Sequence, residues 1–250
     1  MNRRATPASA LAALAVATIG LSACTGTSTT SPDQTSKTAT TTPASELATA
    51  TSTLAEQTFA MTMTVKIDGT DARLTGAMDP AHKRGAFTAT TDVDGRRSVQ
   101  EWRLIGSDIY LKTNTPALPG TSAKPWRRID AKASGGNLAD GLNGAKIADP
   151  LRHATAVQRT GKGHYSGSIT AASLSGFLDS SASSSGPSAP TSAQVNFAAE
   201  VDGQHRLTRF HLDVPRAKGG TYPIDIVYSG FGESVDVQAP PADQVADSAG

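Results

Sequence analysis

Cys24 is the only thiol in a chain of 250 residues. It directly follows Leu21-Ser22-Ala23, a leucine and two small residues. With no second cysteine there is no intramolecular disulfide, so the folded part is held by its core alone. The other residues able to do chemistry are scattered. His82, His153, His164, His205 and His211 include no pair at the i,i+4 spacing that puts two metal ligands on one helical face, and all five read as solvated side chains. Asp92-Val93-Asp94-Gly95 begins like a calcium loop, but Arg96 and Ser98 stand where acceptors belong and no glutamate closes it, so a hairpin turn fits better. Gly161-Lys162-Gly163 lacks the spacing and the Ser/Thr of a phosphate-binding loop, and neither a G-x-S-x-G elbow nor an S-x-x-K pair occurs. No enzyme, no metal site and no cofactor are expected.

The segment ahead of Cys24 gives the cysteine its meaning. Arg3 and Arg4 precede an apolar, alanine-rich stretch from Ala8 to Leu21, the layout of a signal peptide and short for a bilayer span. The ending Leu21-Ser22-Ala23-Cys24 resembles the lipobox of bacterial lipoproteins. Residues 1–23 are therefore read as a lipoprotein leader, and the mature chain as held by lipid on Cys24 at the extracytoplasmic face of the cell membrane. Loss of Arg3 and Arg4 moves the formal charge from slightly positive to slightly negative, leaving no basic footprint for nucleic acid.

Residues 24–45 are almost wholly Thr, Ser, Ala and Pro, with Asp33 and Lys37 the only charges before residue 45. Such a stretch buries too little apolar surface to offset its ordering entropy. It reads as a tether whose root-mean-square reach is roughly 25 Å, with a composition open to O-linked sugar.

The roughly 200 residues that follow suit one domain, 46–245, with a Ser-rich loop at 180–192 and a tail at 246–250. Glu46 to Gln57, with Leu47 and Leu54 seven apart and Ser45 at the N-cap position, reads as a short amphipathic helix. The period then changes to two. Phe59, Met61, Met63, Val65 and Ile67 alternate with polar or small residues, and after Asp68-Gly69 the alternation resumes at Ala72, Leu74, Gly76 and Met78, giving a hairpin. The same grammar covers Phe87 to Val93, Val99 to Ile105, Ile109 to Leu111 and Trp126 to Ile129. Asp149-Pro150-Leu151 reads as an N-cap, an N1 proline and a helix start. Strands resume at His164 to Ala171, a short helical piece follows at Ala172 to Leu178, and Val195 to Val201, Leu207 to Val214, Tyr222 to Tyr228 and Val235 to Val237 complete a meander. The expected class is α+β: a large antiparallel sheet of about ten strands with two or three short helices. A sheet that long must curl, which makes a half-barrel closed over its helices the expected architecture.

This order of elements resembles the actinobacterial envelope lipoproteins of the LppX, LprA, LprF and LprG type, which share a half-barrel fold with the periplasmic lipoprotein carrier LolA. The similarity runs from about Ala48 to Val245. It is carried by Ile105-Gly106-Ser107-Asp108-Ile109-Tyr110 followed by Trp126, by Asp149-Pro150-Leu151, and by Tyr228-Ser229-Gly230-Phe231-Gly232-Glu233-Ser234-Val235-Asp236-Val237 with Pro240-Pro241. These are framework residues. The chain departs from such proteins in its Ser-rich loop and in the Gly-rich segment before Asp149.

The resemblance implies an apolar cavity between sheet and helices that holds the acyl chains of a lipid or lipoglycan in transit. Phe59, Met61, Met63, Val65, Leu74 and Met78 would face it from the first hairpin, and Phe87, Trp102, Leu104, Leu111, Phe197 and Val201 from later strands. Methionine suits a surface that adapts to flexible chains. The same alternation serves any sheet that buries one face, so a filled core remains the other reading. Trp102 and Trp126 are open to stacking on a sugar at a rim or to packing inside. Two functions follow: a carrier of lipid, or a surface lipoprotein that binds an envelope protein partner.

Overall fold

Two Asp-Gly pairs set the pattern of the sheet. Asp68 and Gly69, and again Asp94 and Gly95, take positive φ at both central turn positions, as tight I′ hairpins require, and Asp92 Oδ1 accepts from the Gly95 amide at 3.1 Å. The computed structural model of this chain describes residues 41–114, 123–130, 142–174, 192–217 and 219–246. The expected leader, Cys24, the tether up to residue 40, nearly all of the Ser-rich loop and the last four residues lie outside the described residues.

The hairpins belong to a meander of β1 (Phe59–Ile67), β2 (Thr70–Asp79), β3 (Arg84–Val93), β4 (Arg96–Ile105), β5 (Asp108–Thr113) and β6 (Trp126–Asp130). A second series comprises β7 (Thr155–Gly161), β8 (His164–Thr170), β9 (Gln194–Val201), β10 (Leu207–Pro215) and β11 (Thr221–Ser229). Pairing of β1 with β11, in the register Met61 to Tyr228 and Met63 to Ile226, joins both into one open sheet. Among the described residues it has twelve strands in the order β12-β6-β5-β4-β3-β2-β1-β11-β10-β9-β8-β7, where β12 is Val245–Ala246. All ladders are antiparallel except β12 on β6. The class is α+β, with few helices.

Two strands differ from expectation. Thr155–Gly161 forms β7 although it alternates nothing, because it is the edge strand and most of it is exposed. Val235 to Val237, expected as a strand, makes no ladder, and the last strand is β12. Val237 is buried all the same: the chain after β11 crosses the outer face of the sheet. The Thr58 hydroxyl donates to the Glu233 carbonyl at 2.7 Å at one end of this strap, and Arg103 Nη1 donates to the Gln238 carbonyl at 3.0 Å further on. Between those points the register row of the outer face reads Ala60, Ala77, Ala86, Arg103, so alanines leave room for a crossing segment.

Helix α1 (Pro43–Glu56) starts earlier than the expected Glu46. Thr42, not Ser45, is the N-cap, and its hydroxyl accepts from the Ser45 amide at 3.2 Å. Pro43 stands in the first turn, where a missing N–H costs nothing. The helix buries Leu47, Ala50, Thr51 and Leu54, an i,i+3,i+4,i+7 stripe, and the Thr51 hydroxyl donates back to the Leu47 carbonyl at 2.9 Å, so its burial leaves no orphan. Asp149 is not an N-cap. A short helix α2 (Gly144–Ala148), capped by Asn143, precedes it, and Asp149–His153 continues that helix as a 3₁₀ turn. The piece expected from Ala172 is a 3₁₀ turn at Ala171–Leu174 among the described residues.

Candidate functional site

Antiparallel partners point to the same side of a sheet, so the registers decide which residues share a face. One row runs Tyr228, Met61, Gly76, Phe87, Trp102, Leu111 and Arg127 from β11 to β6. A second carries Met63 beside Leu74, and a third joins Phe59, Met78, Gly85, Leu104 and Ile109. Across β11 the same face continues: Phe197 is opposite Leu212, Leu212 opposite Ile224 and Ile224 opposite Val65, and Val201 is opposite Leu207. All twelve apolar candidates therefore lie on one face, the inner face that α1 and α2 cover.

Burial grades across this face. Phe59, Met61, Met63, Leu74, Met78, Phe87, Leu104, Phe197 and Val201 are buried, whereas Val65, Trp102 and Leu111 are only half-buried. The covered part is anchored by α2. Tyr228, 2 % exposed, donates its hydroxyl to the Gly144 carbonyl at 3.0 Å, and its ring meets Phe59 edge-on with centroids 5.6 Å apart. Burial pushes the Tyr228 hydroxyl far above its ordinary pKa, so it stays a donor. A Cβ at Gly144 would come within 2.7 Å of Met61 Sδ and 2.9 Å of the Phe59 ring, which is why the helix begins on a glycine there.

Aromatic rings on this face lie over glycines. A Cβ on Gly85 would stand 2.7 Å from the Phe87 ring, and one on Gly167 would stand 2.9 Å from the Phe197 ring. At Gly76 the Cβ would be 2.1 Å from the Ala86 carbonyl oxygen and 2.5 Å from the Phe87 ring. Phe87 and Phe197 thus lie low against the backbone instead of standing into the space above the sheet.

A polar knot ties α1 to the far strands. Glu46 accepts hydrogen bonds from the Tyr165 hydroxyl and the Arg159 guanidinium, in register partners of β8 and β7. The Tyr165 hydrogen bond foremost, and then Arg159, hold the Glu46 carboxyl below its usual value against the opposing effect of burial. Tyr165 moves up, through burial first and the Glu46 bond second.

The outer face is polar and salt-bridged. Asp225 Oδ1 is 3.0 Å from both Arg209 Nη2 and His211 Nδ1, and His211 Nε2 is 3.4 Å from Asp213 Oδ1. Burial acts to raise the Asp225 pKa, but the Arg209 and His211 hydrogen bonds outweigh it and the net shift is downward. His211, expected to be solvated, is only 31 % exposed. Both its ring nitrogens face carboxylates, an arrangement that braces the ladder and leaves no ring nitrogen pointing at a substrate. This cluster escaped the sequence reading because its members are cross-strand neighbours, visible only once the register is known. Among the described residues no group of three His, Cys, Asp or Glu is placed to hold a metal ion.

Trp126 lies on the outer face, 4 % exposed. Arg103 stacks 4.5 Å from its ring centroid and Lys112 Nζ stands 5.6 Å away, and β12 pairs beside it. A rim for sugar stacking is thus excluded at Trp126, while Trp102 stays half-buried on the inner face. Among the described residues no helix is long and apolar enough to cross a membrane. Comparison of the chain with protein-family models and with curated proteins finds no match in either.

Proposed function

We propose that this protein is an envelope lipoprotein, anchored through Cys24 and of a LolA-like half-barrel build, that binds and carries the acyl chains of a lipid or lipoglycan on its inner face. The observation that carries the reading is the graded apolar face: methionines, low-lying phenylalanines and Trp102 share one side of the sheet, covered by helices at one part and only half-buried at Trp102 and Leu111. The lipobox supports the location, and the chain between Cys24 and Thr42 supplies the reach for exchange with a membrane or an envelope protein partner. Catalysis has no part in this function, and neither has nucleic acid.

The direct test is lipid mass spectrometry on the protein purified from its native host. Co-purified acyl lipid in near-stoichiometric amount is the expected result, and an empty protein with a reproducibly crosslinked protein partner overturns the carrier reading in favour of a binding lipoprotein. Cys24→Ser should release the chain from membranes and abolish metabolic labelling by an alkyne fatty acid; membrane retention without the thiol would remove the anchor.

A further inference from the structure

The inner face carries one feature that packing does not require. Its central row, from the covered Met61 through Gly76, Phe87, Trp102 and Leu111, reaches Arg127 on β6, with Ala246 of the two-residue β12 beyond it. Neighbouring cations are engaged: Arg128 donates to Asp108 at 3.0 and 2.9 Å, Lys112 to Glu101 at 2.9 Å, and Arg103 to the Gln238 carbonyl at 3.0 Å. Of the other inner-face arginines within a ladder, Arg159 is bound to Glu46, and Arg96 stands at the far end of β4, in the row of Ile67, Thr70 and Val93 and away from Trp102 and Leu111. Arg127 is exposed and makes no ion pair with the described residues.

The geometry points to Arg127 as the seat of an anionic head group, carboxylate or phosphate, of an amphiphile whose chain lies inward along Leu111, Trp102 and Phe87. This inference rests on the acyl-binding reading above and names the ligand class for it. Three strand spacings of ~4.8 Å separate Arg127 from Phe87, or about 14 Å. One leaflet of a bilayer is about 15 Å of hydrocarbon, so the half-covered part of the row matches a single acyl chain. The charge also falls where it must. A guanidinium at the exposed end keeps its hydration until an anion arrives, and its planar donor fork fits the two oxygens of a carboxylate or phosphate. Arg128, one residue on, points to the other face and serves as an internal comparison.

Titration calorimetry of the full chain with decanoic acid, monodecyl phosphate and decanol separates the contributions. Both anions should bind about fivefold more tightly than decanol, the size of one ion pair at an exposed site. Arg127→Gln should bring the anions down to decanol while leaving decanol unchanged, and Arg127→Lys and Arg128→Gln should keep the preference. Preference for only one anion identifies the head group as carboxylate or phosphate, and still supports Arg127 if Arg127→Gln removes it. Equal binding of all three by the natural chain, or a preference that survives Arg127→Gln, overturns the inference while acyl binding stands. No binding of any of the three overturns both.

Discussion

Replacing Glu46 with glutamine tests what holds α1 over the apolar face. Glutamine keeps the shape and can still accept from Tyr165, so the change removes charge and little else. The Arg159 partner is about half exposed and screened by water, so the effect rests mainly on the Tyr165 hydroxyl, a donor on a buried residue. A hydrogen bond to a charged acceptor is worth about 1.5–3 kcal/mol against about 1 kcal/mol for a neutral one, so Glu46→Gln should cost about 1–1.5 kcal/mol near neutral pH. The pH dependence follows from the depressed Glu46 carboxyl. Between the folded and unfolded values the unfolded chain holds more protons, so stability rises with pH there. The contribution is complete above the ordinary glutamate value of about 4.5 that the unfolded chain shows and is lost as pH falls through the folded value. Urea unfolding followed by circular dichroism, at pH 7 and at a pH below the folded value, reads both quantities. Natural chain and variant should differ at pH 7 and converge in acid. Equal stability at pH 7, or a gap that persists in acid, would refute the assignment of the knot to an ionised Glu46.

Other substitutions probe the sheet itself. Gly76→Ala places a methyl 2.1 Å from a backbone oxygen, so β2 and β3 must part; a loss of about 2–3 kcal/mol is expected in urea titration, and an unchanged midpoint would mean the strands yield freely. Tyr228→Phe leaves the Gly144 carbonyl without its donor, at about 1–2 kcal/mol, and hydrogen exchange should quicken in α2; unaltered exchange would show that the ring alone seats the helix. Ala156 holds φ at 51° in the edge strand, a left-handed conformation that disfavours any residue with a Cβ. Ala156→Gly should therefore raise stability by about 0.5–1 kcal/mol, seen as a higher thermal midpoint, and a lower one would show the strain is absent in solution.

Most of the sheet was legible because most strands bury one face. Phe59 to Ile67 and Val195 to Val201 alternate cleanly, and Asp-Gly pairs mark turns that only left-handed residues can make. β7 left no such trace: an edge strand with two-sided exposure has no reason to alternate, and its register breaks near Thr155 and Arg159 blur what pattern there is. Val237 misled in the opposite way, since a residue buried under a crossing strap carries the same apolar signature as one in a ladder. Thr42 and Ser45 are equivalent as caps by residue type, and Pro43 between them decides the start. The twelve apolar candidates share a face because period two is set locally, yet the Glu46 knot and the His211 cluster depend on which strands become neighbours, a fact that no local window holds.

The pairing of β1 with β11 brings together segments from opposite ends of the domain, and that has a cost in time. Contacts between distant segments form slowly because the intervening chain must first be closed into a loop. As the polypeptide emerges, β1 can pair with β2 at once, but its other edge has no partner until Thr221–Ser229 is made. Through that interval the strand bearing Phe59, Met61 and Met63 presents an open, apolar edge, the kind that invites pairing between chains. The ladder near the middle of the finished sheet thus waits for nearly the whole domain to be made, with only the short β12 on β6 still to follow, and the rate of that closure sets how long a newly made molecule stays vulnerable to aggregation.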